Sequence, residues 1–592
     1  MQPGLVVAHP RAAKQIARYR SERFPQAQAN VLTAYQSSQN ETGRFSSDGA
    51  VYSWTSGRHG NCTGTGPCFD YEYHLNGDIA LQFHSYWIAS GDTHFFRDEL
   101  FPVYNAIAQF YADVVTYNET SGLYDLYNAT DPDEYANFQT NVGYTMALIK
   151  THLDSTNEIR NRFGLGANGS WADISSLINI PIYEPANIIL EYQTMNGSIS
   201  VKQADVVLVD DFLEYPNPFS LSNLDYYAGK QTLNGPGMTY GVFSIVASEV
   251  SPSGCSSYTY GLYGSQPYTR APWFQFSEQL LDDWDANGGT HPAYPFLTGI
   301  GGAHHVAVFG YLGLRLMIDS LNVDPDLPPQ IPHLNYRTIY WQGWPVNATS
   351  NSTHTTLQRL LNPLPTANST FATAPIPVTI GLDGSSGSSN ATIHNLYLNG
   401  TVTLENRRAS FKKTVPGNIA QCQSVTTDSA YSPGQFPLSA VDGAISTKWQ
   451  PTQSNITSTI TVQLPEPFVQ ISELRFDWAQ APPRSYAVTF SNSSSPLQSQ
   501  PAGSTVNVAS DEAVAVSDVY DPGKASDIVP YLGNTTNVTL ASPVWSGRFA
   551  VLAIRGNRAT EGAEDEFNGT GATVAEWAIV AAGSGENVAG RA

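Results

Sequence analysis

Apolar residues recur at three- and four-residue spacing through the first 328 positions. The spacing predicts helices near 10–23, 25–37, 76–90, 94–115, 138–163, 171–178, 201–214, 240–249, 273–286 and 303–320. Long loops rich in Gly, Pro and Tyr join them at 40–73, 116–137 and 250–272, and long loops on a helical scaffold are where function concentrates. Strands do not alternate with helices here, which argues against a parallel α/β sheet. An array of about ten helices fits an α/α toroid, an (α/α)6 barrel lacking its first members. Past the Pro-rich stretch PDLPPQIPHL the apolar period drops to two, in YRTIYWQGW, TIHNLYLNG and TVTLENRR. Residues 329–414 therefore read as a small β domain. Residues 415–592, with STITVQLPEP, ISELRFDWA, YAVTFSNS and RFAVLAIRG separated by turn residues, read as a β-sandwich.

Composition narrows the function. The 592 residues are 41% hydrophobic and 14% charged, which is globular rather than disordered. A net charge of −22 speaks against nucleic acid or an anionic membrane as partner and suits an uncharged substrate. Sixteen N-x-S/T sequons, Asn40, Asn61, Asn118 and Asn128 among them, favour a secreted or luminal chain. The opening MQPGLVVAHPRAAKQIARYR lacks the apolar core of a signal peptide, so the expectation is a chain that starts inside a longer protein, with Met1 internal. No apolar run is long enough to span a bilayer. Cys62 and Cys68 are spaced to close a small disulfide loop, whereas Cys255 and Cys422 stand isolated and read as candidates for free thiols.

Four stretches carry candidate chemistry. In TDPDEYAN, Asp133 and Glu134 follow Pro132 and precede Tyr135. A carboxyl partly desolvated by aromatic rings is expected to titrate high, the condition for a general acid. The same acids also suit a helix start. In 51–83, Trp54, Tyr71 and Tyr73 offer flat faces, and Arg58, Asp70, Glu72 and His74 offer hydrogen bonds, the combination that a sugar needs. His74 reads as a packed support rather than a catalyst. In VKQADVVLVDD, Lys202 and Gln203 open an apolar stretch. In WFQFSEQLLDDWDANGG, Glu278 and Asp282 would share a face if the segment were helical, and either could be the second carboxylate of a glycosidase pair. Phosphate loops, dinucleotide turns, serine elbows and zinc motifs are missing from the sequence, and no cofactor or metal is expected.

These stretches, with GPGMTYGVFS and THPAYPFLTGIGGAHHVAVFGYLGLR, resemble the fungal acid-trehalase branch of glycoside hydrolase family 65 over residues 1–328. The resemblance implies an (α/α)6 barrel followed by a small β domain, and hydrolysis of α,α-trehalose with inversion. It implies Glu134 as general acid, Glu278 as the base that activates water, and Trp54, Glu72, Lys202 and Gln203 as sugar contacts. The family's phosphorylases carry a His/Ser-rich phosphate loop where this chain has YPFLTGIGG, which favours water as the nucleophile. The family's Phe-Trp-Asp sugar motif and N-terminal β domain have no counterpart here. The tail from 415 resembles discoidin-like (F5/8 type C) carbohydrate-binding domains on LSAVDGAISTKWQP, RFAVLAIRG and VAEWAIV, with Asp442 and Trp449 as structural positions. That likeness implies cell-wall polysaccharide as a partner. The readings set against hydrolysis are an α-glucoside phosphorylase and a catalytically inactive carbohydrate-binding surface protein.

Overall fold

A computed structural model describes residues 2–31, 44–63, 72–213, 215–233, 235–287, 289–381, 393–407, 412–492, 505–513, 527–528, 534–559 and 565–583. Asp70, Tyr71 and Cys68 lie outside the described residues.

Helices dominate up to residue 311, and their neighbours form a closed circuit. Gln2–Ala8 packs on His74–Ser90, and the circuit continues through Gly143–Arg162, Leu208–Phe212, Thr239–Val250 and Leu297–His305. The last of these returns to Gln2–Ala8. Pro10–Ser21, Phe101–Val114, Gly169–Ser176, Ser220–Lys230 and Ser256–Tyr263 alternate with them in sequence and pack on their flanks. The arrangement is an α/α toroid. None of the described helices is long and apolar enough to cross a membrane.

Local signals account for the helix ends. His74–Ser90 stops where Gly91 takes a left-handed conformation (φ 67°) and returns its N–H to the Trp87 carbonyl at 2.8 Å. Asn168 caps Gly169–Ser176 through the N–H groups of Ser170 and Trp171. Gly143–Arg162 is capped from outside the helix. The Asp131 carboxylate accepts the N–H groups of Tyr144 (2.9 Å) and Thr145 (3.1 Å), which ties the acidic loop to the helix start.

Several expected elements take other forms. Residues 273–286 are not a helix: Gln275–Phe276 pairs with Thr269–Arg270 in a hairpin, and turns follow. Asp282 draws the segment round by accepting from Arg270 Nε (2.6 Å) and Ser277 Oγ (2.6 Å), bonds that compete with a helical backbone. The apolar residues that mimicked a helical face, Trp273, Phe274 and Trp284, are exposed. Of 201–214 only Leu208–Phe212 is helical. Of 303–320, the helix Leu297–His305 runs on through a wider turn at Val306–Tyr311. Gly313 (φ 60°) then ends it, lying so close to Asp324 that a Cβ would meet its carbonyl oxygen at 2.4 Å. The loop expected over 250–272 contains the helix Ser256–Tyr263.

The β region after the helices has two sheets. Arg315–Leu316 and Leu321–Val323 join Ile376–Ile380 and Ile393–Leu396 in one. Ile339–Trp341, Trp344–Asn351, His354–Arg359 and Thr401–Glu405 form the other, with His333–Asn335 paired to its second strand. This region grips the toroid through Gln342 and Gly343, whose N–H groups reach the carbonyls of Ile88 and Ala89 at 2.6 and 2.8 Å.

The tail is a two-sheet sandwich. Val425–Thr427, Ser458–Gln463, Phe549–Arg555, Ser485–Ser491 and Thr505–Ala513 form one sheet in that order. Thr535–Trp545, Gln470–Asp477 and Glu576–Ala581 form the other. Alternate residues fill the core between them, where Phe476 and Trp478 stack at 4.6 Å and Trp449 is fully buried. Buried Asp442 accepts from Ala444 N–H (3.0 Å) and Thr447 Oγ (2.9 Å), closing its own turn.

Cys255 and Cys422, expected to be free, form a disulfide that joins the toroid to the sandwich with their Cα atoms 5.8 Å apart. Their isolation in sequence hid a spatial pairing 167 residues long. Around the disulfide, Ser253 Oγ donates to the Asp442 carbonyl (2.5 Å), and Tyr260 OH to Ser446 Oγ (2.6 Å). Ser446 in turn donates to Asp225 (2.5 Å). Cys62 is also disulfide-bonded.

Candidate active site

The loop around Glu134 is held by three acids rather than by its aromatic neighbours. Asp131 caps the next helix, as above. Asp133, fully buried, accepts the N–H of Tyr135 at 3.0 Å and that of Lys202 at 3.2 Å, and donates its own N–H to Asp205 at 3.0 Å. Gln203 Nε2 donates to the Pro132 carbonyl, and Lys202 Nζ pairs with the Glu134 carboxylate. Glu134 is thus the half-exposed tip of a pinned loop. Among the described residues its own aromatic neighbours do not enclose it: Tyr135 and Phe138 are 54% and 58% exposed, and the carboxylate pairs with an ammonium.

Segment 201–205 links this loop to the second candidate. The Lys202 carbonyl accepts from Gln231 Nε2, and Ala204 N–H reaches Thr239 Oγ at 3.0 Å. The Val201 backbone bonds on either side to Lys230 and Thr232. From this same 231–239 stretch, Gly237 N–H donates to the Glu278 carbonyl at 2.7 Å. Glu278 is clamped further by Ala293, which accepts its backbone N–H (3.0 Å) and donates to its carboxylate (2.8 Å). Segments 201–205 and 231–239 therefore tie the loops of Glu134 and Glu278 to one support. Asp282, the rival second carboxylate, is occupied by Arg270 and Ser277.

A third group reaches the same region from the start of His74–Ser90. Buried Glu72 bonds His74 Nε2 at 2.8 Å, and Asp78 bonds Nδ1 at 2.8 Å. Tyr144 OH donates to the other Asp78 oxygen at 2.7 Å. Burial alone would push the His74 pKa down, but the hydrogen bonds to Asp78 and Glu72 outweigh it and carry it up to about 10. His74 is therefore an imidazolium locked between two carboxylates. Trp54, half-buried, sits edge-on to it at 5.5 Å. Tyr73 is core rather than a platform: it is 1% exposed, with its carbonyl accepting from Tyr111 OH at 2.8 Å. Arg58 is exposed and engages Arg23 through its carbonyl alone among its described bonds.

A cavity of about 200 Å³ opens in the middle of the circuit. His74, Asp78, Pro132, Gln203, Asp211 and His305 are among the residues that line it. Asp211 is half-buried there, and desolvation raises its pKa to about 7. Of the expected contacts, Gln203 lines this cavity and Glu72 acts on it through His74, whereas Trp54, Lys202, Glu134 and Glu278 are not among its lining residues. Among the described residues no cluster of His, Cys, Asp and Glu could hold a metal ion.

The residues that sequence reasoning passed over are Asp205 and Glu191, 2% and 1% exposed behind the Glu134 loop. Each is the lone acid of a short apolar neighbourhood (QADVVLV and IILEY), and a charge in such a run is the signal that marks a buried acid.

Comparison with known proteins places these features. Residues 1–196 match the glycosyl hydrolase family 65 central catalytic domain. The chain is similar to the cell wall acid trehalase of Arthroderma benhamiae, 52% identical over 604 aligned positions that cover 98% of this chain and 56% of that protein. It is similar to the acid trehalase of Emericella nidulans at 48% identity, covering 99% and 56%. A more distant likeness, 27% identical over 60% of this chain and 49% of the other, is to the protein-glucosylgalactosylhydroxylysine glucosidase of Mus musculus. The chain spans about half the length of the curated relatives it matches.

Proposed function

We propose that this chain carries the catalytic unit of an inverting α-glucosidase that hydrolyses α,α-trehalose to two glucose molecules. The observation that carries the reading is the similarity to fungal acid trehalases across nearly the whole chain, at about half identity. The arrangement of the two loops supports the following roles. Glu134, at the tip of a loop pinned to the toroid, protonates the bridging oxygen as the C1–O bond breaks. Glu278 takes a proton from the water that attacks the opposite face of C1, an arrangement that needs the two carboxyl groups roughly 6.5–9.5 Å apart. Lys202 orients Glu134 until substrate arrives, and Gln203, Trp54 and Glu72, the last through His74, grip the sugar. The step requires no metal or organic cofactor.

The finer layout belongs to the same reading. Residues 1–328 form an (α/α)6 catalytic domain, 329–414 a small β domain, and 415–592 a discoidin-like sandwich that holds the enzyme near cell-wall polysaccharide. The sequons, the disulfides and the cell-wall name of one relative support a secreted or wall-associated setting for the full-length protein.

Early-time proton NMR of trehalose with this chain, without phosphate, tests the reaction. Equal initial α- and β-glucose is the expected result, because one half keeps its configuration and the other inverts. Glu134→Gln should lower turnover by about 10³-fold or more while leaving the circular dichroism spectrum unchanged. Turnover that depends on phosphate would replace hydrolysis with phosphorolysis. Binding of glycans without glucose release would make the chain a carbohydrate-binding protein.

A further inference from the structure

Behind the Glu134 loop four carboxyl groups meet with little basic counterweight. Asp133 and Asp131 come from the loop itself, Asp205 from the segment after Lys202, and Glu191 from the strand end that runs beside the start of Gly143–Arg162. All four are buried, with exposures of 0 to 2%. Cations reach only the margins: Lys202 acts on Asp133, and His74 acts on Asp131 and Asp205. The phenols of Tyr192 and Tyr227 complete the surroundings. Four buried carboxylates so close cannot all be ionised.

The hydrogen bonds say where a proton sits. The Glu191 carboxyl lies within hydrogen-bonding reach of that of Asp133, and two carboxyls can share a bond only if one of them supplies a hydrogen. Asp133 already accepts two backbone N–H groups, which favour its charged form. One oxygen of Glu191 has no partner, and the same is true of Asp205. Burial, then the charges of Asp205 and Asp133, hold Glu191 well above the ordinary carboxyl range. Of the pair Asp133 and Glu191, it is Glu191 that keeps its proton.

We infer that Glu191 is a positioning residue: as a neutral acid it donates to the Asp133 carboxylate and thereby holds the neighbouring Glu134 in its working place. Loss of that proton puts two like charges against each other in a dry site. The repulsion falls on the Asp133 turn and through it on the loop that carries Glu134. The alkaline limit of activity is then set by Glu191 rather than by the groups that touch substrate. This inference rests on the role of Glu134 proposed above.

The test separates the two. In Glu191→Gln the side chain donates to Asp133 at every pH and cannot ionise, whereas in Glu191→Leu it cannot donate at all. For trehalose hydrolysis we expect the Gln variant to stay within about threefold of wild type in kcat on the acid side and to exceed it by about tenfold beyond the wild-type alkaline limb, with KM unchanged. The Leu variant should lose about tenfold in kcat at all pH values. Superimposable wild-type and Gln profiles would overturn the inference. Amide exchange in wild type, corrected for its intrinsic pH dependence, supplies a readout that needs neither activity nor a folded variant. Peptide 131–139 should lose protection as pH rises while helix Thr239–Val250 keeps its own. Unchanged protection of 131–139 would overturn the latch even if no glucose is released, and absence of glucose with the exchange response intact would count against the proposed function alone.

Discussion

At the scale of the residue, the site is built from charges that the protein has taken out of water and paired. His74 is the plainest case. Its pKa, about 10 when folded against 6.5 in an unfolded chain, means that its contribution to stability is fully present below pH 6.5. That contribution is lost as pH rises through about 10. His74→Gln should therefore cost about 3–5 kcal/mol near pH 6, because it leaves Glu72 buried beside a neutral group. The gap to wild type should narrow toward pH 10. Urea unfolding at both pH values checks this, and a pH-independent gap would place the effect in packing. Sequence made part of this legible. The residue types at 72, 74, 134, 202 and 203 pointed to sugar chemistry, but the pairing of Glu134 with Lys202 and the burial of Glu191 depend on segments 57 or more positions apart. No local pattern encodes such a meeting.

Helix periodicity was the reliable guide at the scale of the element, and it failed where apolar residues serve something other than a core. His74–Ser90, Phe101–Val114, Gly143–Arg162 and Thr239–Val250 lie where their spacing put them. Segment 273–286 does not, because its tryptophans and phenylalanine face solvent beside Glu278 while Arg270, Ser277 and Asp282 tie the backbone into turns. Close helix packing was equally invisible in sequence. A Cβ at Gly241 would meet the carbonyl carbon of Gly302 at 2.8 Å, so Thr239–Val250 and Leu297–His305 touch backbone to backbone. Glycine to alanine inside a helix ordinarily stabilises by about 0.5–1 kcal/mol. Gly241→Ala should instead destabilise by about 1–3 kcal/mol, because both sides of the contact are main chain. A lower denaturant midpoint with an unchanged slope is the expected signature. A higher midpoint would mean that the helices can part at no cost.

For the whole molecule, the expected boundary near residue 329 came late, since Arg315–Leu316 and Leu321–Val323 already join the β region, and no pattern told that the regions are fastened together. Cys255–Cys422 and the bonds of Ser253, Tyr260 and Ser446 make the sandwich a fixed flank of the toroid. Cys422→Ser should lower stability by about 4–5 kcal/mol on loop-closure grounds and lower the melting temperature. Equal melting of the variant and wild type would show that the noncovalent contacts suffice.

The same bond changes what a cut in the chain means. Everything from Ser256 to Gln421, including both sheets of the middle β region and the loop of Glu278, lies inside one covalent ring. A protease that severs a single peptide within that ring opens the circle without releasing a fragment, so the two ends stay tethered on either side of the wound. In the secreted setting proposed above, that topology turns a break that would be terminal elsewhere into a nick.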